Sequence, residues 1–223
     1  MKLVDYLKKH NIITGPVPKN SSYSHCNKIK NDLLCIPASD PEEKHFIFGK
    51  ALHERFLEDK YESYALLSEE EKKRIESMLK KMNSNSVVKR LMVNSVCEDK
   101  KYGELFGVEM SYILDIYQPA PRIGSDIKTT TAKTFLDCKN RALAYGYPKQ
   151  SFVYKQMEKL KEFYFIFVDK FPPHSIYIIS SNEFKEQEKA AAKELEFLLW
   201  WYKNYGELMS IEDYWVKQKE KGL

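Results

Sequence analysis

The spacing of apolar residues along this chain alternates between a helical and an extended period, and each switch marks a change of element. Residues 1–11 read as a short amphipathic helix with Leu3, Val4 and Leu7 on one side, stopped by the Gly15-Pro16 step. A polar stretch, KNSSYSHCNKI, follows. From Pro41 the period becomes helical again: proline suits a first helical position, Glu42 and Glu43 suit the positive end of the helix dipole, and Phe48, Leu52 and Phe56 supply an apolar stripe. The segment LSEEEKKRIESMLKKM predicts a solvent-facing helix capped by Ser68, with Leu67, Ile75, Leu79 and Met82 as its buried side. Near Asn94 the pattern turns to alternation of β-branched and aromatic residues, as in LFGVEMSYILDIY, and predicts two or three antiparallel strands up to Lys128. Helical spacing returns over 133–145, stops at Gly146, and resumes from Pro148 to about Leu160. FYFIFVDKFPPHSIYIIS predicts two more strands around Pro172-Pro173, and helices near 182–205 and 211–219 close the chain. The order of elements indicates a mixed α/β domain without repeats.

Composition narrows the class. At 223 residues the chain suits one compact domain, and we expect 1–223 to be one, with an N-terminal segment to residue 40, a core over 41–181 and C-terminal helices over 182–223. Hydrophobic residues at 43% and charged residues at 30% exclude wholesale disorder. No apolar run approaches a membrane span, and the N-terminus lacks the uninterrupted apolar region of a secretory signal, so a cytoplasmic protein without a membrane partner is expected. Cys26, Cys35, Cys97 and Cys138 are scattered without zinc-ligand spacing and read as reduced thiols. A formal charge of +4 permits a phosphate-rich partner without requiring one.

The candidate chemistry lies in ILDIYQPAPRIGSDIKTTT. If the loop Pro119 to Arg122 closes a hairpin, paired residue numbers sum to 241, and Asp115 then faces Asp126 across the ladder. Lys128 shares the Asp126 face, one pleat on. Two facing carboxylates among Ile113, Leu114, Ile116 and Ile127 repel unless compensated. A divalent cation held by hard oxygen ligands compensates them, and so does a plain surface ion pair with Lys128 or Arg122. His53 sits in the apolar stripe of its helix, as a metal ligand or as a satisfied core histidine. Gln150 and Tyr154 lie at i and i+4 on the helix begun by Pro148 and project from one face.

GKALHE, ILDI, SDIKTT and GYPKQSFVY, in that order, resemble the PD-(D/E)XK nuclease superfamily, and within it the RecB/RecE-like phage recombination exonucleases. The likeness runs from about Ser21 to Ile179. It implies an α/β restriction-endonuclease-like core with a central mixed β-sheet flanked by helices. It further implies a Mg²⁺- or Mn²⁺-dependent deoxyribonuclease, with exonuclease action on linear duplex DNA favoured. A structure-specific or general endonuclease of the same fold, or a catalytically inactive DNA-binding module, are the alternatives. By the same resemblance His53, Asp115, Asp126 and the Ile127 carbonyl would hold metal. Asp115, Asp126, Lys128, Gln150 and Tyr154 would form the catalytic set. Thr129, Thr130, Gln150 and Tyr154 would contact substrate, and Thr131 could add a hydroxyl. Leu114 stands where the motif's proline would be, and its second acid is Asp rather than Glu; neither change removes a ligand. DNA, a homo-oligomer and a single-strand annealing protein are the implied partners, in a bacterial host cytoplasm.

Overall fold

A computed structural model describes residues 43–205. The helices expected over 1–11 and 211–219, and the polar stretch 19–29, lie outside them. Helix α1, Glu43–His53, is the one expected after Pro41; it runs into a π-helical stretch, Glu54–Glu58, closed by Asp59 in the left-handed region (φ 52°). A single turn, α2 (Glu62–Ala65), leads to α3 (Glu69–Ser84). Ser68 caps α3 as expected: its Oγ accepts from Glu71 N while the Glu71 carboxylate accepts the Ser68 N–H, the two halves of a capping box. Ile75, Met78, Leu79 and Met82 recur at helical spacing and are buried. The Asn85 side chain then caps α4 (Ser86–Met92) by accepting from Val87 N and Val88 N.

Five strands, β1 (Val96–Leu105), β2 (Val108–Gln118), β3 (Ile123–Thr130), β4 (Glu162–Asp169) and β5 (Ile176–Ser180), form one sheet in that order. β2 and β3 run antiparallel, β3 and β4 parallel, β4 and β5 antiparallel. The parallel step needs a crossover, and α5 (Phe135–Ala144) with α6 (Tyr147–Met157) supplies it. Thr134 Oγ1 caps α5 by accepting from Asp137 N at 3.0 Å, and Gly146 makes the left-handed turn (φ 69°) between the two helices. Together these elements form the expected mixed sheet flanked by helices.

The described residues fall into two compact units. The first holds 43–100 and 113–185 and contains every candidate site residue. One face of its sheet, through Ile116, Ile127, Ile166 and Val168, packs with Phe48, Leu52, Ile75 and Met78 of α1 and α3. On the other, Phe163, Phe165 and Phe167 of β4 meet Tyr147 and Tyr154 of α6. The helix-side and aromatic-side residues alternate along β4, which is why that strand reads as an unbroken apolar run. The second unit holds 101–112, with the two-residue turn Phe106-Gly107 (φ 51° and 77°) between β1 and β2, and 186–205 of helix α7 (Lys185–Tyr205), where Ala191, Leu195 and Leu199 are buried. No helix among the described residues is long and apolar enough to cross a membrane.

Candidate active site

The site is built where β2 leaves β3. Arg122, left-handed at φ 56°, closes the hairpin loop by donating its N–H to Pro119 O at 3.2 Å. The pairs Gln118↔Ile123, Tyr117↔Gly124 and Ile116↔Ser125 then follow the register the sequence predicts. The ladder ends there, one step short of Asp115 and Asp126, so these two do not form the ladder pair that the hairpin arithmetic extends to. On its other edge β3 stays paired with β4 from Ile123 to Thr130. The N–H and C=O of Ile127, turned toward the gap, therefore need side-chain partners. Asp115 Oδ2 accepts the N–H at 2.6 Å, and His53 Nε2 lies 2.9 Å from the carbonyl oxygen. Two candidate ligands are thus anchored on one residue of β3, while the Ile127 side chain fills the core beneath α1.

Asp126 and Lys128 point to the opposite, aromatic face, opposite Phe165 and Phe167 in the parallel register. Asp126 is buried; its Oδ1 accepts from Gln150 Nε2 at 2.7 Å, and its Oδ2 lies 2.5 Å from Lys128 Nζ. That second contact is a close ion pair between the buried carboxylate and the Lys128 ammonium. Lys128 Nζ also sits 4.9 Å from the centre of the Tyr147 ring, which stacks on Phe165 at 5.5 Å.

Burial, then the Asp115 charge, pushes the Asp126 carboxyl up to about 6, against the pull of Lys128. Burial likewise raises Asp115, with His53 and Lys128 opposing. For Lys128 and His53 burial acts the other way, favouring the neutral form, but the surrounding carboxylates win. Lys128 is held firmly as an ammonium by Asp126, and His53 is raised to about 9 chiefly by Asp115 and Glu98. The site concentrates negative charge that two cations only partly offset.

Glu98, on β1, is the participant the sequence reading does not single out. His53 Nδ1 lies 3.5 Å from Glu98 Oε1 and 3.6 Å from Asp115 Oδ2. His53, Glu98 and Asp115 each offer a ligand atom within 4.8 Å of the other two. Glu98 has φ 50°, a left-handed residue inside a strand, and that break in the pleat decides where its carboxylate points. The sequence holds adjacent acids there, Glu98 and Asp99, and period-2 counting cannot choose between them across such a break. One imidazole and two carboxylates are a donor set that suits a hard divalent cation.

The remaining predicted residues are placed as follows. Gln150 and Tyr154 share a face of α6, as their spacing requires, and both are buried behind Asp126. Gln150 Nε2 reaches Asp126 Oδ1 and also lies 3.3 Å from Tyr154 OH, and the Tyr154 ring packs 5.7 Å from Phe163. Their contact with the site runs through Asp126. Thr130 is buried, and its Oγ1 accepts from Ala132 N at 3.0 Å. Thr129 lines an open cleft of about 470 Å³ together with Gly49, Lys50, His53, Glu98 and Lys128, wide enough to admit a nucleotide.

Comparison with known proteins agrees with this geometry. The fold is similar to a crystal structure described as a putative exonuclease from Eubacterium rectale, with a TM-score of 0.61 and 17% identity, covering 84% of this chain and 78% of that one. A phage related exonuclease from Haemophilus somnus 129PT aligns with a TM-score of 0.35 and 13% identity over 66% of this chain and 91% of that one, too loosely to carry an argument. No curated protein matches the chain. A family model described as a PDDEXK-like domain of unknown function (DUF3799) matches residues 37–205, well over half of the sequence, and the chain belongs to that PDDEXK-like family.

Proposed function

We propose that the protein is a Mg²⁺- or Mn²⁺-dependent deoxyribonuclease that degrades linear duplex DNA from its ends, in phage-type recombination or DNA processing. The observation that carries the reading is the convergence of His53, Glu98 and Asp115 beside the Asp126–Lys128 pair at the split between β2 and β3. His53, Glu98, Asp115 and Asp126 would hold the cation, with the Ile127 carbonyl adjoining. When bound, the cation supplies Lewis acidity toward a phosphodiester and toward water. Lys128, kept as an ammonium, is suited to stabilise negative charge on the phosphate and to orient water rather than to act as a base. Gln150 and Tyr154 act as positioning residues, fixing the rotamer of Asp126 from behind. Thr129 at the cleft wall offers a hydroxyl to a phosphate oxygen.

The exonuclease mode rests on the resemblance of the motifs and on the description of the Eubacterium rectale neighbour. With it go a homo-oligomer and a single-strand annealing protein as partners, and a bacterial cytoplasmic setting. The test is incubation of the pure protein with Mg²⁺ or Mn²⁺ and two substrates, linear and covalently closed circular duplex. Linear DNA should be consumed from its ends while closed circles survive, and chelator should stop the reaction. Circles nicked as fast as linear DNA is cut would make the protein an endonuclease with the same metal chemistry. Full activity in excess chelator would end the metal reading.

A further inference from the structure

Just past the ends of β3 and β4 lies a second group of charges that the hydrolytic site does not use. Arg141 of α5 donates Nη2 to Thr131 Oγ1 at 2.7 Å. Lys170, the residue after β4, donates its N–H to Thr130 O at 2.8 Å, and its Nζ lies 5.3 Å from the centre of the Phe48 ring. Arg74 and Lys133 approach the half-exposed Phe171 ring to 5.2 and 5.0 Å. Arg74 and Lys133 already have carboxylate partners, Glu70 at 3.0 Å and Asp169 at 2.7 Å. Arg141 and Lys170 have none within ion-pair distance among the described residues. Burial, with Arg74 and Arg141 nearby, pulls Lys170 below the ordinary lysine range. A partly buried cation that lacks a carboxylate partner, as Arg141 and Lys170 do, carries a free-energy cost that a bound anion relieves.

The group also connects to the hydrolytic site. Lys128 Nζ sits 4.9 Å from the centre of the Tyr147 ring, and Tyr147 opens α6, the helix directly after the α5 that carries Arg141. Thr131 follows Lys128 by three residues, about 10 Å at the rise of an extended chain. Measured along the axis of duplex DNA that distance is the rise of about three base pairs, and it is shorter than the winding path of one strand over them.

We propose that Arg141 and Lys170, with the Thr131 hydroxyl, form a phosphate subsite that holds the DNA backbone within a few nucleotides of the scissile bond. The proposal rests on the nuclease reading above. A guanidinium fork already oriented by Thr131 and an adjacent ammonium suit the oxygens of a phosphodiester, and a contact of this kind sets the register of the strand without reading its sequence.

The test is the salt dependence of binding to a labelled linear duplex, with Ca²⁺ in place of Mg²⁺ to slow cleavage, over about 50 to 200 mM salt. Arg141→Gln or Lys170→Gln should reduce the slope of log K against log salt by about 0.9 each, and the double variant by about twice that. Lys170→Arg keeps the charge and should keep the slope, and so should Lys80→Gln, which removes an exposed cation from α3. In Mg²⁺ Arg141→Gln and Lys170→Gln should each raise KM more than they lower kcat. A slope deficit that persists on 5′-hydroxyl ends assigns the contact to an internal phosphodiester; one seen only on 5′-phosphoryl ends assigns it to the terminal phosphate. Arg141→Gln and Lys170→Gln both binding with the wild-type slope, while the wild type binds and cuts, would overturn the subsite and leave the nuclease standing. A wild type that neither binds nor cuts would overturn the nuclease reading and the subsite with it.

Discussion

The two edges of β3 have opposite fates. Toward β4 all its residues from Ile123 to Thr130 are paired; toward β2 the pairing stops after Ile116↔Ser125. The continuous edge is occupied by backbone alone, and the β4 side chains beside it are apolar packing, phenylalanines on one face and Ile166 and Val168 on the other. The interrupted edge leaves the Ile127 amide and carbonyl to be met by Asp115 and His53, and so collects the ionisable groups. The contrast shows how a sheet can build a charged site without a long loop. Ending a ladder one pair early creates backbone groups that only polar side chains can satisfy, and those side chains are then anchored at both ends.

The sharpest way to break the comparison is at Lys128, which belongs to the interrupted end. Lys128→Ala should lower the cleavage rate by at least about 10²-fold, the scale of losing a preorganised charge-stabilising group. DNA affinity should change far less, because phosphate contacts elsewhere supply most of it. Single-turnover cleavage and binding measured on the same variant check this. A Lys128→Ala protein that cuts at the wild-type rate would mean that the ammonium serves only as the counter-charge of Asp126.

The paired end should behave oppositely. A Cβ added at Gly124 would lie 2.7 Å from Leu160 Cδ1 and 2.9 Å from Phe163 Cδ2, inside a packed core. Gly124→Ala should therefore cost about 1–3 kcal/mol of stability through overpacking, read as a lower denaturant midpoint. The folded fraction should keep its kcat, since no ligand moves with the strand's packed end. A kcat that fell with the midpoint would show that the two ends of β3 are mechanically coupled.

Much of this was legible in the sequence. The hairpin and its first three pairs follow from a loop bounded by Pro119 and Arg122, while the facing of Asp115 and Asp126 that the same counting extends to lies one step beyond the end of the ladder. The capping box of α3 follows from Ser68 and Glu71. What escaped the sequence depends on departures from regular period. The left-handed Glu98 interrupts β1, α2 and α4 are too short for a 3.6-residue pattern to register, and Arg141 and Lys170 reach the neighbouring residues Thr131 and Thr130 only because the parallel pairing brings the ends of β3 and β4 together. The spacing of Gln150 and Tyr154 places them on one face of α6, but which way that face turns is a tertiary fact.

Glu98 offers a subtler probe of the interrupted edge. Glu98→Gln keeps the side chain's size and one oxygen but removes a charge from the ligand set, so the Mn²⁺ concentration for half-maximal activity should rise roughly tenfold, ligand charge being a main determinant of affinity for a hard cation. Direct Mn²⁺ titration of the protein without DNA separates this from any effect on the substrate. An unchanged titration would remove Glu98 from the metal centre and leave it as a partner of His53 alone.

The smallest expected effect lies at the closed end of the hairpin. Gln118, paired with Ile123, donates Nε2 to Arg90 O at 3.0 Å and to Val93 O at 2.8 Å, tying the C-terminal end of α4 to β2. Helix C-termini leave carbonyls without partners, and here a strand side chain satisfies two of them. Because these contacts are exposed, water can replace the amide when it is lost, and Gln118→Ala should cost only about 0.5–1 kcal/mol. The midpoint of unfolding should move by that amount while kcat, KM and the Mn²⁺ requirement stay at wild-type values. A variant of Gln118 that altered the metal requirement instead would mean that the position of α4 is transmitted along β2 as far as Asp115, and that the paired and interrupted ends of the hairpin are not independent.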